Sequence, residues 1–398
     1  MIDWAALKAA NAPLGAFVDW DEAQAGAAPD AAGPLAGLTL GVKANIMVAG
    51  LPWTAGMGLH RRRIAPRDAA VVARLRRAGA TVLGTLNMHE AALGAHSDNA
   101  FFGRTHNPHR LGFTPGGSSG GSGAAVAAGL CDLALGTDTL GSVRIPAAYC
   151  GVYGLKPSHG AVDSDGLAFL EPSLDCIGPL AASLDRLEQC WRVMVDAPGA
   201  ARHFRRLVLL DDCAGVRLDP AVAAGYARAG GLLTLPREQL VLADAPTTIR
   251  MAGLVSAGRW LIDDLGAEYR ADNPALSAEL RYVLSVCAGA APQPEVLMRT
   301  RDAVRAALGD DGVLLMPTAP QTAFAQGARA PANQADFTAL ASIAGLPALA
   351  LPAGWSSDGL PVGVQLVGPP GSEASLIALG RQLDAGLGAY HPPIQRKE

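Results

Sequence analysis

The sequence predicts a single α/β domain in which strands and helices form packed layers. Strand-like and helix-like segments alternate through residues 37–160, a pattern typical of strands joined by helical connections. Apolar segments of strand character return near the C-terminus, at 313–317, 346–354 and 361–368. Because neither a tandem repeat nor a long linker separates the two groups, we expect the last strands to lie beside the first ones.

The elements of the first half follow from local patterns. A short helix is predicted near residues 3–10 and a strand over 37–43. A helix over 69–78 has Asp68 as a candidate N-cap residue. The same rules then predict a strand at 80–84, a short helix at 86–94, a helix of small residues at 122–130, and strands at 132–136 and 152–155.

The second half is predicted to be richer in helix. Pro146 delays the helix that follows residue 142, because proline fits only the first turn of a helix. Residues 183–200 and 217–310 carry leucine and alanine at helical spacing, and a last helix fits 372–385.

Composition excludes several classes of function. The 398 residues are 50% hydrophobic with a net charge of −4, and Arg61–Arg63 is too short to be a basic arm, so no nucleic-acid partner is expected. The N-terminus lacks the basic and apolar regions of a signal peptide, and no apolar stretch is long enough to cross a membrane. The six cysteines show no metal-ligand spacing. We therefore expect a soluble cytoplasmic protein with reduced cysteines and no membrane partner.

Most candidate catalytic residues lie in residues 115–160, which contain two glycine-rich loops that each carry a serine, Ser118 and Ser142. A serine hydroxyl is a weak nucleophile unless a base removes its proton, and Lys43 in GVKANI can act as that base if it is neutral. Ser118 can pass the proton between them, because a hydroxyl both donates and accepts. The N–H groups of residues 139–142 can converge on one oxyanion.

On the residues alone, two other interpretations stay open. The serines can belong to a flexible linker, with Lys43 on the surface. A phosphate-binding loop is disfavoured, because the segment lacks the G-x-x-x-x-G-K-[ST] pattern.

The chain resembles the amidase signature family of serine hydrolases. The resemblance rests on GGSSGGS, GTDTLGSVRIPAAYCGVYGLKPS and GVKANI, and it continues in SLDCIGPLA, VLLMPTAP and the block at 344–368. It implies one α/β/α domain with a large mixed central sheet flanked by helices. Its parts would be a signature core at 37–200, a variable helical, substrate-lining region at 200–310, and a C-terminal part of the core at 311–398.

The resemblance also implies roles for individual residues. Lys43 would be the general base, Ser118 the bridging serine after a cis Gly117–Ser118 peptide, and Ser142 the acylated nucleophile. The remaining implied roles are an oxyanion hole at Thr139, Leu140, Gly141 and Ser142, and supporting positions at Gly117, Asp138 and Arg144. No metal or organic cofactor is implied.

Two positions depart from the family pattern. Leu140 stands where many members carry a glycine, and it is expected to narrow the oxyanion loop and intrude on the acyl pocket. Ala44 follows the lysine where an aspartate is common, and it is expected to loosen the support around Lys43.

Three histidines in one loop, His96, His106 and His109, invite a metal hypothesis. Their spacing does not match a helical H-x-x-x-H pair, so loop hydrogen bonding is the favoured role. His89 and His159 are likewise expected to be structural.

The predicted function is hydrolysis of a small carboxamide through an acyl-enzyme, with a homodimer left open. A glutamine-hydrolysing A subunit of an amidotransferase is one alternative. A non-catalytic scaffold that keeps the fold is another, with Leu140 closing the oxyanion site.

Overall fold

A computed structural model describes residues 2–23 and 33–393, and a single eleven-stranded sheet runs through it. In the described residues the strands are β1 (Phe17–Trp20), β2 (Thr39–Lys43), β3 (Thr81–Leu86), β4 (Asp98–Asn99), β5 (Gly103–Arg104), β6 (Leu133–Asp138), β7 (Tyr153–Lys156), β8 (Cys176–Ala181), β9 (Arg206–Leu210), β10 (Arg237–Leu240), β11 (Gly312–Pro317), β12 (Ala348–Trp355) and β13 (Pro361–Val367). Strands β4 and β5 form a separate small hairpin.

The large sheet is mixed, as predicted. Its order is β1-β3-β2-β6-β8-β7-β12-β13-β11-β9-β10. Neighbours β3, β2 and β6 are parallel, as are β11, β9 and β10, whereas the pairs between these two groups are antiparallel. The C-terminal strands β12 and β13 lie between the two groups and join the halves of the chain into one domain.

Helices cover both faces of the sheet. They are α1 (Trp4–Asn11), α2 (Ala70–Arg77), α3 (Gly120–Ala127), α4 (Arg144–Cys150), α5 (Leu184–Met194), α6 (Pro220–Leu232), α7 (Pro246–Leu265), α8 (Ala278–Gly289), α9 (Pro294–Leu308), α10 (Thr338–Ile343) and α11 (Glu373–Leu387). Successive residues of β6 show the two layers: Leu133 and Leu135 pack in one core with α5 and α11, while Ala134 packs in another with α3. This alternation explains why the first three residues of the strand are all apolar. The α/β/α fold class is confirmed.

Residues 86–94 do not form the predicted helix. Only a single 3₁₀ turn is present, at Glu90–Ala92, and Ala91 and Ala92 have positive φ. Three backbone N–H groups of this segment donate to distant carbonyls instead: that of Asn87 to Ala16, that of His89 to Ser118 and that of Ala91 to Ala55. Tertiary hydrogen bonds therefore override the local helical pattern.

Asp68 does not cap α2, whose N-cap residue, Ala69, offers no side-chain hydrogen bond. The Asp68 carboxylate instead accepts from the Ala49 N–H at 2.8 Å and pairs with Arg76. The carboxylate thus ties the start of α2 to the loop after β2.

Four strands of the sheet were not predicted from local sequence patterns: β1, β8, β9 and β10. Strand β8 (CIGPLA) contains glycine and proline, which favour turns, and β10 (REQL) is mostly polar and exposed. The segment 200–310 is accordingly mainly helical but also adds β9 and β10 to the sheet. Its boundaries and its substrate-lining role stay predictions.

Within residues 2–23 and 33–393, no helix combines the length and the apolar character needed to cross a membrane.

Candidate active site

Lys43 is the last residue of β2 and its side chain is fully buried. Its Nζ lies 2.7 Å from Ser118 Oγ and 2.7 Å from Thr137 Oγ1 on the adjacent strand β6. Burial lowers the pKa of Lys43 to about 7, although the charges of Asp175 and Asp138 oppose the shift. A substantial fraction of this amine is therefore neutral near pH 7, which is the form that a general base requires.

Ser118 lies at the turn into α3, after a Gly117–Ser118 peptide bond that is cis. Gly117 allows this close packing, because a Cβ at that position would lie 2.7 Å from the backbone of Ala95 and of His96. The Ser118 carbonyl accepts from the His89 N–H at 3.0 Å. The turn thus holds the Ser118 hydroxyl against Lys43.

Ser142 lies in the loop between β6 and α4, and 8% of its surface is exposed. Its carbonyl accepts from the Ser119 N–H at 3.2 Å, which joins the two serine loops. Within the described part of the chain, Ser142 Oγ makes no hydrogen bond and stays free to meet a ligand. The structure thus gives Lys43–Ser118 a direct contact and joins the loops of Ser118 and Ser142 through the backbone.

The N–H groups of Leu140, Gly141 and Ser142 find no acceptor among the described residues. Unpaired donors on adjacent residues form the kind of site that binds an anionic oxygen. The loop is held from its other side, since Thr338 Oγ1 on α10 donates to the Leu140 carbonyl at 2.6 Å.

Gly141, but not residue 140, needs to be glycine. Gly141 has φ of +140°, and a Cβ there would lie 2.2 Å from Thr338 Oγ1. Leu140 does not adopt a positive φ, and its half-buried side chain packs against α7 at Gly253. Leucine is therefore compatible with the backbone of the loop, and its side chain fills the space between the loop and α7.

Ala44 is buried, and its N–H and carbonyl both make backbone hydrogen bonds, to Leu86 and Ala55. Support for Lys43 comes instead from Thr137, which also accepts from Asn45 Nδ2 at 3.2 Å. The contact with Thr137 thus supports Lys43 where an aspartate at position 44 was expected to do so.

Asp138 and Arg144 form an ion pair that is completely buried. Arg144 Nε and one terminal nitrogen each lie 2.9 Å from the Asp138 carboxylate, which also accepts from the Val143 N–H. Burial would raise the pKa of Asp138, but the Arg144 charge and hydrogen bonds outweigh burial and hold the pKa below its ordinary value. The pair connects the end of β6 to the start of α4 and so fixes the ends of the loop that contains Ser142.

Replacing Arg144 with methionine is expected to lower the free energy of unfolding by about 3–5 kcal/mol, because Asp138 is left buried and unpaired. Denaturant unfolding measures the change. Arg67→Ala is the matched control, since it breaks an exposed pair with Asp165 and is expected to change stability little. Equal losses in the two variants would contradict a structural role for the buried pair.

Asp175, which was not among the predicted site residues, also supports the loop. Its carboxylate accepts from the Thr139 hydroxyl and from the N–H groups of Leu170 (2.7 Å) and Glu171 (3.1 Å). Burial raises the pKa of Asp175 to about 6 despite these hydrogen bonds. The only sequence signal was its place in SLDCIGPLA, a segment quoted for the resemblance.

The structure separates the three loop histidines. His109 hydrogen-bonds to the Cys150 carbonyl and meets the Trp355 ring edge to face, and His106 accepts from the Gly112 N–H. His96 turns toward His89 and Glu279 instead.

A cavity of about 1560 Å³ is lined by residues that include Thr39, Asp132 and Arg186 but by none of the predicted site residues. Thr39 and the chain before Leu133 lie at the beginnings of β2 and β6, whereas Lys43 and Asp138 lie at the ends of these strands. The predicted site residues therefore lie at the carboxyl edge of the sheet, where open α/β sheets bind ligands, and not beside this cavity.

Comparisons with known proteins agree with the geometry. A family model described as Amidase matches residues 4–208 and 285–377. The A subunit of the glutamyl-tRNA(Gln) amidotransferase of Anaeromyxobacter dehalogenans (strain 2CP-C) is 35% identical, over 98% of this chain and 92% of that protein.

Solved structures of similar proteins include amide hydrolases. An inhibitor-bound chain from a vestigial complex that reveals the origins of an s-triazine catabolic enzyme has a TM-score of 0.86 and 31% identity, over 98% of this chain and 94% of its own. The peptide amidase PAM, in complex with the inhibitor chymostatin, has a TM-score of 0.81 and 26% identity, over 98% and 94%.

Proposed function

The chain belongs to the amidase signature family, whose enzymes act on amide carbon–nitrogen bonds, and we propose that it hydrolyses a small carboxamide. The products would be a carboxylate and ammonia or an amine. The observation that carries the proposal is the buried contact of 2.7 Å between Lys43 Nζ and Ser118 Oγ, with the pKa of Lys43 lowered by burial to about 7.

In the proposed mechanism, Ser142 Oγ attacks the amide carbonyl, and its proton passes through Ser118 Oγ to Lys43 Nζ. The free N–H groups of the loop 139–142 stabilise the oxyanion that forms. The proton then moves to the leaving nitrogen, so that ammonia or an amine departs and an acyl-Ser142 ester remains. Water, deprotonated by the same pair, hydrolyses the ester and restores the enzyme.

A small substrate is favoured by the surroundings of Leu140. Its side chain fills space between the oxyanion loop and α7, where a glycine would leave room for a larger acyl group. Residues 209–284, which include α7, lie outside the match to the family model, so the family pattern does not describe the proposed pocket wall on this side.

The second candidate function is hydrolysis of glutamine within a complex, with the ammonia passed to a partner. The observation that favours it is the similarity of almost the whole chain to the A subunit of an amidotransferase. This candidate predicts glutaminase activity that depends on added partner proteins, whereas a free-standing amidase needs none. The homodimer also stays a prediction.

The deciding experiment is a panel of amides scored by ammonia release. We expect the purified chain alone to hydrolyse small monoamides faster than glutamine or long-chain amides. Glutamine hydrolysis that appears only with partner proteins would favour the second candidate. A non-catalytic scaffold would release no ammonia from any amide and would not react with a fluorophosphonate probe.

A further inference from the structure

A cluster of three potential metal ligands lies outside the proposed catalytic residues. His89 and His96 lie in the chain after β3, and Glu279 lies in the first turn of α8, which belongs to a different part of the sequence. The Glu279 carboxylate oxygen Oε1 lies 2.8 Å from His96 Nε2 and 3.7 Å from His89 Nε2. All three ligand atoms lie within 4.8 Å of one another.

His89 is the member of the cluster that lacks an explanation. Only 3% of the residue is exposed, its Nδ1 is buried without a hydrogen-bond partner among the described residues, and its Nε2 is beyond hydrogen-bond distance of Glu279. Burying an imidazole without a polar partner is unfavourable, and an ion bound at Nε2 would give this ring one.

We propose that His89, His96 and Glu279 bind a divalent transition-metal ion, with zinc as the ion that this ligand set suits best. Two imidazoles and a carboxylate form a recognised tetrahedral zinc set with one open position. Metal–ligand bonds of about 2.0–2.1 Å place the ligand atoms of such a site about 3.3 Å apart. The observed separations of 2.8 Å and 3.7 Å lie on either side of that value.

The exposure of the cluster suits an open coordination position. The Glu279 side chain is 48% exposed and that of His96 is 18% exposed, so water can reach the ion from one side. Zinc replaces the proton between His96 Nε2 and the Glu279 carboxylate. The hydrogen bond from the Asp98 N–H to His96 Nδ1 is 3.4 Å long, so its loss when the ring proton moves to Nδ1 costs little.

Zinc in this position would connect α8 to the segment 87–99. The two already meet at a neighbouring contact, where the Glu90 carboxylate accepts from the Ser277 N–H at the start of α8. An ion that binds the folded chain and not the unfolded one raises its stability in proportion to the logarithm of ion concentration over Kd. Zinc is therefore expected to stabilise the protein whatever its effect on catalysis.

The test uses the purified full chain after removal of metal by a chelator. Titration with zinc chloride, followed by calorimetry and by the melting temperature, is expected to show one tight site per chain and a rise in Tm. His96→Gln and Glu279→Gln alter partly exposed positions, and each is expected to weaken zinc binding at least tenfold and to remove the rise in Tm. His159→Ala, which removes an exposed histidine outside the cluster, is the control and is expected to bind zinc as the wild type does.

Two results would overturn the proposal. One is the absence of a stoichiometric zinc site in the wild-type chain. The other is wild-type zinc affinity in both glutamine variants, since zinc would then bind elsewhere. The melting temperatures of the variants without zinc show whether each has folded, and none of these measurements depends on amidase activity.

Discussion

Ser142→Ala is expected to lower kcat for amide hydrolysis by a factor on the order of 10⁴ or more, because the variant has no oxygen to form the acyl-enzyme. The residual rate would come from the oxyanion loop and substrate binding alone. Ammonia release measures the loss, and reaction with a fluorophosphonate followed by mass spectrometry identifies the labelled serine.

The matched control is Ser122→Ala. Ser122 is also buried in the glycine-rich segment, but its Oγ donates to the Leu135 carbonyl at 3.0 Å and faces the sheet. This variant is expected to keep the fluorophosphonate label on Ser142 and most of the activity. Substantial hydrolysis by Ser142→Ala, or a probe adduct on another serine, would refute Ser142 as the nucleophile.

Lys43→Met is expected to lower kcat/KM by about 10²–10⁴-fold, the usual contribution of a general base. In the wild type the reactive form is the neutral amine, and burial lowers the pKa of Lys43 to about 7. Log kcat/KM is therefore expected to rise with pH below about 7 and to level off above it. Rates measured from about pH 5.5 to 9 in both proteins give the profile, and the methionine variant is expected to lose the rise.

A stability measurement checks the lowered pKa of Lys43 independently of catalysis. The pKa of Lys43 is lower in the folded chain than its ordinary value of 10.5, so between about pH 7 and 10.5 the unfolded chain binds more protons. The stability of the wild type relative to Lys43→Met is therefore expected to rise with pH across that window. A flat rate profile together with no such rise would show that Lys43 does not titrate near neutrality.

Much of the candidate site could be proposed from the sequence because its parts are local in the chain. A β-strand that ends at Lys43, a glycine-rich turn at Ser118 and a loop at Ser142 each depend on residues within a few positions. The cis Gly117–Ser118 bond was implied by the resemblance, and the structure contains it. The predictions of strands β11, β12 and β13 rested on equally local apolar patterns and were confirmed.

Where predictions from local patterns were wrong, the backbone or side-chain group in question bonds to a residue that is distant in the sequence. In the segment 86–94, the N–H groups of Asn87, His89 and Ala91 donate to distant carbonyls. The Asp68 carboxylate accepts from the Ala49 N–H and pairs with Arg76 and does not cap α2. Strand β8 contains glycine and proline, yet it pairs along its length with β6 because the sheet places it there.

The primary sequence was sufficient to identify the family, the fold class and the three polar side chains proposed to react, since backbone preference and motif spacing are short-range properties. The positions of Asp175 under Thr139, of Thr338 behind Leu140 and of Glu279 beside His96 followed from the three-dimensional fold. Each of these contacts joins residues 36 or more positions apart. Such contacts depend on strand order and on how helices pack across the sheet. The sequence around either partner shows no periodic pattern that would reveal the contact, because the two residues come together only in the folded chain.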